Sequence, residues 1–159
     1  MAWDGEEIQR VCELALKMKD RPYQFGAKWP LTDTNPQAPV DCSGFSRWII
    51  GQGRDAHGRQ IVLPHGCINQ IKVCKPLALE RPLVLDLGFA DLIGQDGAPD
   101  HVVVRISESL VIEARGCKTH LGHKPELCPY KKVVLRPAAV WDAQKGFMGW
   151  WRVPGLRDG

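Results

Sequence analysis

The sequence predicts an α+β fold with an antiparallel sheet. Two observations carry this: helical periodicity lies in the first half of the chain, and Val-, Ile- and Leu-rich runs follow in the second. A third supports it. Ser107-Glu108-Ser109 joins two of those runs closely enough for a tight hairpin. The 159 residues contain no internal repeat, low-complexity tract or domain boundary, so residues 1–159 are expected to form a single domain.

Residues 4–19 read as an amphipathic helix, with Ile8, Val11, Cys12, Ala15, Leu16 and Met18 at roughly helical spacing and Asp4 as N-cap. Asp20-Arg21-Pro22 ends it. A short aromatic stretch, Tyr23-Gln24-Phe25, leads into a Pro-rich loop over 29–40, with Asn35-Pro36 as a turn signal. A second helix is expected over 42–51, burying Phe45, Trp48 and Ile49, and a third over about 65–73 after Leu63-Pro64. Residues 83–89, 102–106, 110–114 and 133–135 read as strands, and Asp96-Gly97 and Pro99-Asp100 mark the loop before the second of them. Phe147, Trp150 and Trp151 are expected to pack into the core.

Composition bounds the function. Hydrophobic residues make up 44% and charged residues 25%, as in ordinary globular proteins. A net charge of +3 is too small to argue for a nucleic-acid partner and only slightly favours approach to an anionic polymer. No apolar run is long enough to span a bilayer, and the N-terminal residues lack the basic start and apolar core of a secretory signal.

The most informative stretch is Asp41-Cys42-Ser43-Gly44-Phe45, which places a cysteine at a helix start. Free backbone N–H groups and the helix dipole favour the thiolate there. His101 opens a strand well downstream, and an imidazole brought beside such a thiol can take its proton and later return it to a leaving group. A cysteine on a helix start and a histidine on a strand are the minimum apparatus of a thiol hydrolase. Taken singly, each residue type is more often structural.

An ordered series of motifs carries a resemblance. Arg21-Pro22-Tyr23-Gln24-Phe25-Gly26-Ala27, Asp41-Cys42-Ser43-Gly44-Phe45 and Leu63-Pro64-His65-Gly66-Cys67-Ile68-Asn69-Gln70 are followed by Ala90-Asp91-Leu92-Ile93, His101-Val102-Val103-Val104, Val111-Ile112-Glu113-Ala114 and Gly149-Trp150-Trp151-Arg152-Val153. The series resembles the NlpC-type cell-wall cysteine endopeptidases, a papain-like clan, over nearly the whole chain. The resemblance implies a papain-like α+β fold, the nucleophile helix packed on a central antiparallel sheet. It also implies hydrolysis of amide bonds in peptidoglycan stem peptides, typically from D-glutamate to a diamino acid, with no cofactor. Carried over by position, Cys42 matches the nucleophile, His101 the general base and Glu113 the third, orienting residue. Tyr23 matches an aromatic residue lining the site, and Asp41 and Ser43 match positions that contact the substrate.

The physics of the residues agrees. His101 and Glu113 on paired strands would be neighbours on one sheet face, and the carboxylate could fix the imidazole tautomer. A cysteine paired with histidine can drop from about 8.5 to ~3–4, giving a thiolate–imidazolium pair. The Cys42 N–H and the Tyr23 hydroxyl are the candidate oxyanion donors.

The sequence also departs from the family pattern. The third residue, usually histidine, is Glu113; Ala27 replaces a glycine; Cys67 replaces a small hydroxyl residue; and the loop over 29–40 is long, its tip expected to form one wall of the cleft. Arg115 reads either as cleft-lining or as a solvated charge at a strand end. Cys12 reads as a small hydrophobe, and Cys67 and Cys74, about two helical turns apart, are not expected to bond to each other. No metal site is assigned. Cys117, His120, His123 and Cys128 could ligate zinc, but not at the spacing of a standard zinc module, and a Cys117–Cys128 disulfide is a comparable alternative.

Two readings of function stay beside the endopeptidase. One is a non-catalytic structural or assembly subunit of a phage tail that uses the cleft for binding; the other is an acyltransferase or amidase acting on a different amide. The segments 111–116 and 149–153 look most like phage-borne members. With the N-terminal composition, they set the expectation of a tail-associated or lytic product, made in the cytoplasm, that acts on the cell wall with phage tail proteins as partners.

Overall fold

A computed structural model describes residues 2–116 and 131–157 of the chain. The Asp4 carboxylate accepts the Glu7 N–H at 2.8 Å and starts helix α1, Gly5–Leu16. The helix stops short of the expected residue 19. The Met18 and Lys19 amides turn back to the carbonyls three residues before them, and Asp20 adopts a left-handed φ of 72°. Met18 is still fully buried, so its place in the apolar pattern is real although its helix is not.

Helix α2, Cys42–Gly51, buries nearly every residue, with Phe45, Trp48 and Ile49 in the core. Helix α3 is shorter than expected, Cys67–Val73, because Gly66 enters it at a φ of 85° that no helix residue can share. Strands β1 (Lys75–Pro76), β2 (Leu87–Ala90), β3 (His101–Arg105), β4 (Leu110–Arg115), β5 (Lys132–Pro137) and β6 (Phe147–Arg152) form one antiparallel sheet in the order β1-β6-β2-β3-β4-β5. Helix α4, Ala138–Asp142, lies between β5 and β6.

Strand β2 begins later than the apolar run over 83–89 suggests. The Asp86 carboxylate accepts the Leu83 N–H at 2.7 Å, Leu85 sits at a φ of 71°, and Arg152 binds the same carboxylate at 3.1 and 2.9 Å. These contacts fold the first half of the run into a turn.

The sheet separates two cores. Val102, Val104, Ile112 and Ala114 face α1 and α2, whereas Val103, Val111 and Ala90 face α4 and pack with Trp141 and Trp150. Phe147, Trp150 and Trp151 serve this packing, with Phe147 and Trp150 edge-on at 5.3 Å and Trp151 edge-on to Phe89 at 6.1 Å. Among the described residues no helix is long and apolar enough to cross a membrane.

Candidate active site

The start of α2 is built by its own sequence. The Asp41 backbone N–H donates to the Ala27 carbonyl at 2.8 Å, and its carboxylate accepts the Gly44 N–H at 2.6 Å. A Cβ on Gly44 would stand 2.7 Å from Asp41 Oδ1 and 2.9 Å from the Ala27 oxygen, so only glycine fits under this cap. Cys42 therefore holds the first helical position, with free amides and the positive end of the helix beside its sulfur. Gln70, fully buried, ties α3 to this turn: its Nε2 donates to the Ser43 carbonyl at 2.9 Å and its Oε1 accepts the Ser46 hydroxyl at 2.6 Å.

His101 opens β3, and β4 pairs with it in the register Val104 to Ile112. Continued along the strands, this register puts His101 and Glu113 on the same face, the face that α4 covers. Glu113 Oε1 lies 3.1 Å from His101 Nε2, and Glu113 Oε2 accepts the Trp141 indole N–H at 2.5 Å. The Trp141 ring also stacks on the imidazole, with centroids 5.3 Å apart at 30°, and the Arg136 guanidinium lies over the Trp141 ring at 5.4 Å. Arg115 Nε and Arg136 Nη1 stand 3.2 and 3.9 Å from Glu113 Oε1. Glu113 is 1% exposed and Arg115 6%, so Arg115 is a buried counter-ion of the carboxylate, neither lining the cleft nor standing as a solvated charge.

Cys42 meets the His101 ring around the N-terminal end of β3, its sulfur 4.0 Å from the Asp100 carbonyl. With Nε2 directed at Glu113, Nδ1 is the ring nitrogen left for the thiol. A second thiol is present: Cys67 Sγ lies 3.7 Å from Cys42 Sγ. Hydrogen bonding from Cys67 pulls the Cys42 thiol down; burial opposes it, the His101 contact reinforces it, and the result is about 5. Burial works against the His101 imidazolium, but the Cys42 sulfur and Glu113 outweigh it and raise the ring to about 9. Both shifts run in the direction of a thiolate–imidazolium pair. The bond to Cys42 and burial push Cys67 far upward, so it stays a protonated S–H donor.

The thiol and the ring sit in an open cleft of about 430 Å³. Tyr23, Phe25 and Ile68 line one part of it, with Ile93, Gly94 and Pro99 on the loop before β3. Two carboxylates shape that loop. Asp100 accepts the amides of Leu92, Ile93 and Gly94 at 2.9, 2.7 and 3.0 Å, and Asp91 accepts those of Gln95 and Gly97, both at 2.7 Å. The loop over 29–40, expected to supply a wall, does not line the cleft. Trp29 and Trp48 donate their indole N–H groups to the Ala38 and Asp33 carbonyls at 2.7 and 2.8 Å, and Arg21 holds the Pro36 carbonyl at 2.8 Å. These bonds fasten the loop against the helices and away from the thiol.

The structure thus brings Cys42, His101, Glu113 and Tyr23 to one place. The Tyr23 ring packs on Gly116, where a Cβ would stand 2.6 Å from it, and burial raises its phenol so that it keeps its proton. Asp41 and Ser43 are buried behind the cleft, the Ser43 hydroxyl 3.4 Å from Asp41 Oδ1, and they shape the helix start. Sequence reasoning did not reach Trp141, Arg136, the Asp100 clamp or the contact of Cys67 with Cys42; of these, only Cys67 carried a signal, as a departure from the family pattern. Among the described residues no group of His, Cys, Asp and Glu could hold a metal ion, and Cys12, Cys42, Cys67 and Cys74 are free thiols. Cys117, His120, His123 and Cys128 lie outside the described residues.

No protein-family model and no curated protein matches the sequence, but solved structures do. A protein of the NLP/P60 family described as similar to lipoprotein, from Staphylococcus aureus subsp. aureus Mu50, superposes over 99% of this chain and 44% of its own, at TM-score 0.67 and 21% identity. The chain thus spans less than half the length of that protein. The peptidoglycan hydrolase RipB of Mycobacterium tuberculosis matches over 94% of this chain and 67% of its own, at TM-score 0.59 and 17% identity. RipD of the same organism, described as a non-catalytic NlpC/p60 domain protein adapted to peptidoglycan binding, matches over 91% and 95%, at TM-score 0.60 and 15% identity. The chain has an NlpC/P60-type, papain-like α+β fold.

Proposed function

We propose that this chain is a cysteine endopeptidase that hydrolyses amide bonds in peptidoglycan stem peptides, with Cys42 as nucleophile, His101 as general acid and base, and Glu113 orienting the imidazole. The observation that carries the reading is the line of Glu113 Oε1, 3.1 Å from His101 Nε2, the imidazole, and a low-pKa Cys42 thiol on the floor of an open cleft.

In this mechanism the Cys42 sulfur attacks the scissile carbonyl carbon. Negative charge moves to the carbonyl oxygen, where the Cys42 N–H, the Tyr23 hydroxyl, or both would receive it. His101 gives the Nδ1 proton to the leaving amine as the tetrahedral intermediate collapses to a thioester. It then takes a proton from water, which attacks the thioester and frees Cys42. Glu113 holds the ring through both steps and compensates its charge whenever it is the imidazolium.

Purified protein incubated with peptidoglycan is expected to release soluble peptides, and Cys42→Ala to abolish the release. Product masses identify the bond, and scission from D-glutamate to the diamino acid is the outcome expected. Equal release by wild type and a folded Cys42→Ala variant would end the enzyme reading. The description of RipD keeps a second reading in view, a wall-binding domain without catalysis. That reading predicts sedimentation with peptidoglycan and no new amines.

A further inference from the structure

Cys67 belongs to the core around α2 and bonds the Cys42 sulfur, but no step of the mechanism above uses its own chemistry. It opens α3, is 8% exposed and does not line the cleft, yet its sulfur lies 3.7 Å from Cys42 Sγ. We propose that Cys42 and Cys67 form a peroxide-reactive pair: a hydroperoxide entering the cleft oxidises Cys42, and Cys67 resolves the product as an intramolecular disulfide.

The arrangement suits each sulfur to its part. Cys42 lines the cleft and can be reached by a small oxidant, while Cys67 stands behind it within the protein. A disulfide needs an S–S distance of about 2.05 Å. From the observed 3.7 Å, the two sulfurs have to close by about 1.7 Å to reach that length. Each sulfur is on the first residue of its helix, and Gln70 of α3 already bonds the Ser43 carbonyl in α2, so the two starts are fixed against each other.

The chemistry balances with a hydroperoxide as the named oxidant. The Cys42 thiolate attacks one peroxide oxygen, the O–O bond breaks, and the leaving oxygen departs as water or alcohol after taking the proton of the His101 imidazolium beside it. Cys42 is then a sulfenic acid, oxidised by two electrons, and the peroxide is reduced by the same two. With Cys42 no longer a thiolate, the contact that chiefly held the proton on Cys67 is gone, and the Cys67 sulfur attacks the Cys42 sulfur as its proton departs. The S–O bond breaks, the Cys67 proton leaves with the hydroxyl as water, and the disulfide forms. A thiol reductant restores both cysteines, and the sulfenic acid is removed before it can advance to the irreversible sulfinic state. Among the other described cysteines, burial raises the Cys12 thiol to about 11 and the Cys74 thiol to about 12, so neither competes for the oxidant at neutral pH.

The test uses the reduced full chain and hydrogen peroxide, with alkylation of remaining thiols, tryptic digestion without reductant and mass spectrometry. The expected product joins the peptide of residues 29–47 to that of residues 60–72, each of which holds one of the two cysteines. Dithiothreitol should restore Cys42 alkylation. In Cys67→Ser the linked product is absent and Cys42 ends as sulfinic or sulfonic acid that dithiothreitol does not recover. Wild-type Cys42 left unoxidised, driven to sulfinic acid, or joined to Cys117 or Cys128 would overturn the proposal whether or not the variant folds. None of these readouts requires peptidase activity, so failure of the proposed function leaves the outcome legible.

Discussion

Replacing Glu113 by glutamine tests the link between the buried carboxylate and the ring. Glutamine keeps the shape but loses the charge, and of its two terminal atoms only the oxygen can accept. Glu113 now accepts from His101 at 3.1 Å on one oxygen and from Trp141 at 2.5 Å on the other, so one donor must lose its partner. A hydrogen bond to a charged group is worth about 1.5–3 kcal/mol, and about 1.4 kcal/mol corresponds to one pKa unit. Glu113 raises the His101 pKa, so its loss should lower the imidazolium titration by about one to two units. Because imidazolium favours thiolate, the thiol should become harder to ionise at the same time. The measurement is an NMR titration of the His101 ring, assigned with a His101→Gln control, beside the pH profile of peptide release. In wild type, release should rise as pH passes about 5 and fall as it passes about 9, as the pair first forms and then loses the imidazolium proton. In Glu113→Gln the alkaline limb should move toward neutrality. A folded variant with an unchanged ring titration would refute this reasoning.

Trp141→Phe keeps a ring against His101 but removes the indole donor to Glu113; leaving that buried oxygen short of a partner should cost about 1–3 kcal/mol in denaturant unfolding and also lower peptide release. Asp100→Ala frees the amides of Leu92, Ile93 and Gly94, so these should exchange hydrogen faster and KM should rise more than kcat falls. Gly44→Ala forces a methyl against Asp41 Oδ1 and the Ala27 oxygen, and should cost about 1–3 kcal/mol of stability with a slower Cys42 alkylation rate.

The sequence revealed the elements whose local signals agree with their tertiary setting. Helix α1 has a carboxylate cap and an apolar stripe, and β3 and β4 each carry a run of three apolar residues, Val102–Val104 and Leu110–Ile112, in strands buried along nearly their whole lengths. Strand β1 escaped because two exposed residues, Lys75 and Pro76, carry no pattern; only pairing with β6 makes them a strand. Helix α4 escaped because five residues after Pro137 are too short to display a helical period. The Cys42, His101 and Glu113 positions were legible from motif order, but the cleft wall was not. The length of the loop over 29–40 says nothing of direction, which two indole hydrogen bonds decide.

The carboxylate at the third position also explains what surrounds it. An ionised acid held at 1% exposure is costly without partners. Arg115, two residues on along β4, faces the same side and stands 3.2 Å from Glu113 Oε1. Arg136, opposite Val111 in β5, faces that side as well and closes over Trp141. Trp141 follows from the turn of α4 and supplies both the indole donor and the stacking surface for His101. A neutral third residue would need none of these cations. Here the ring is held between a carboxylate and an indole, and two guanidinium groups stand 3.2 and 3.9 Å from that carboxylate. Glu113, Arg115, Arg136 and Trp141 therefore form one unit, and substitutions among them are expected to couple rather than add.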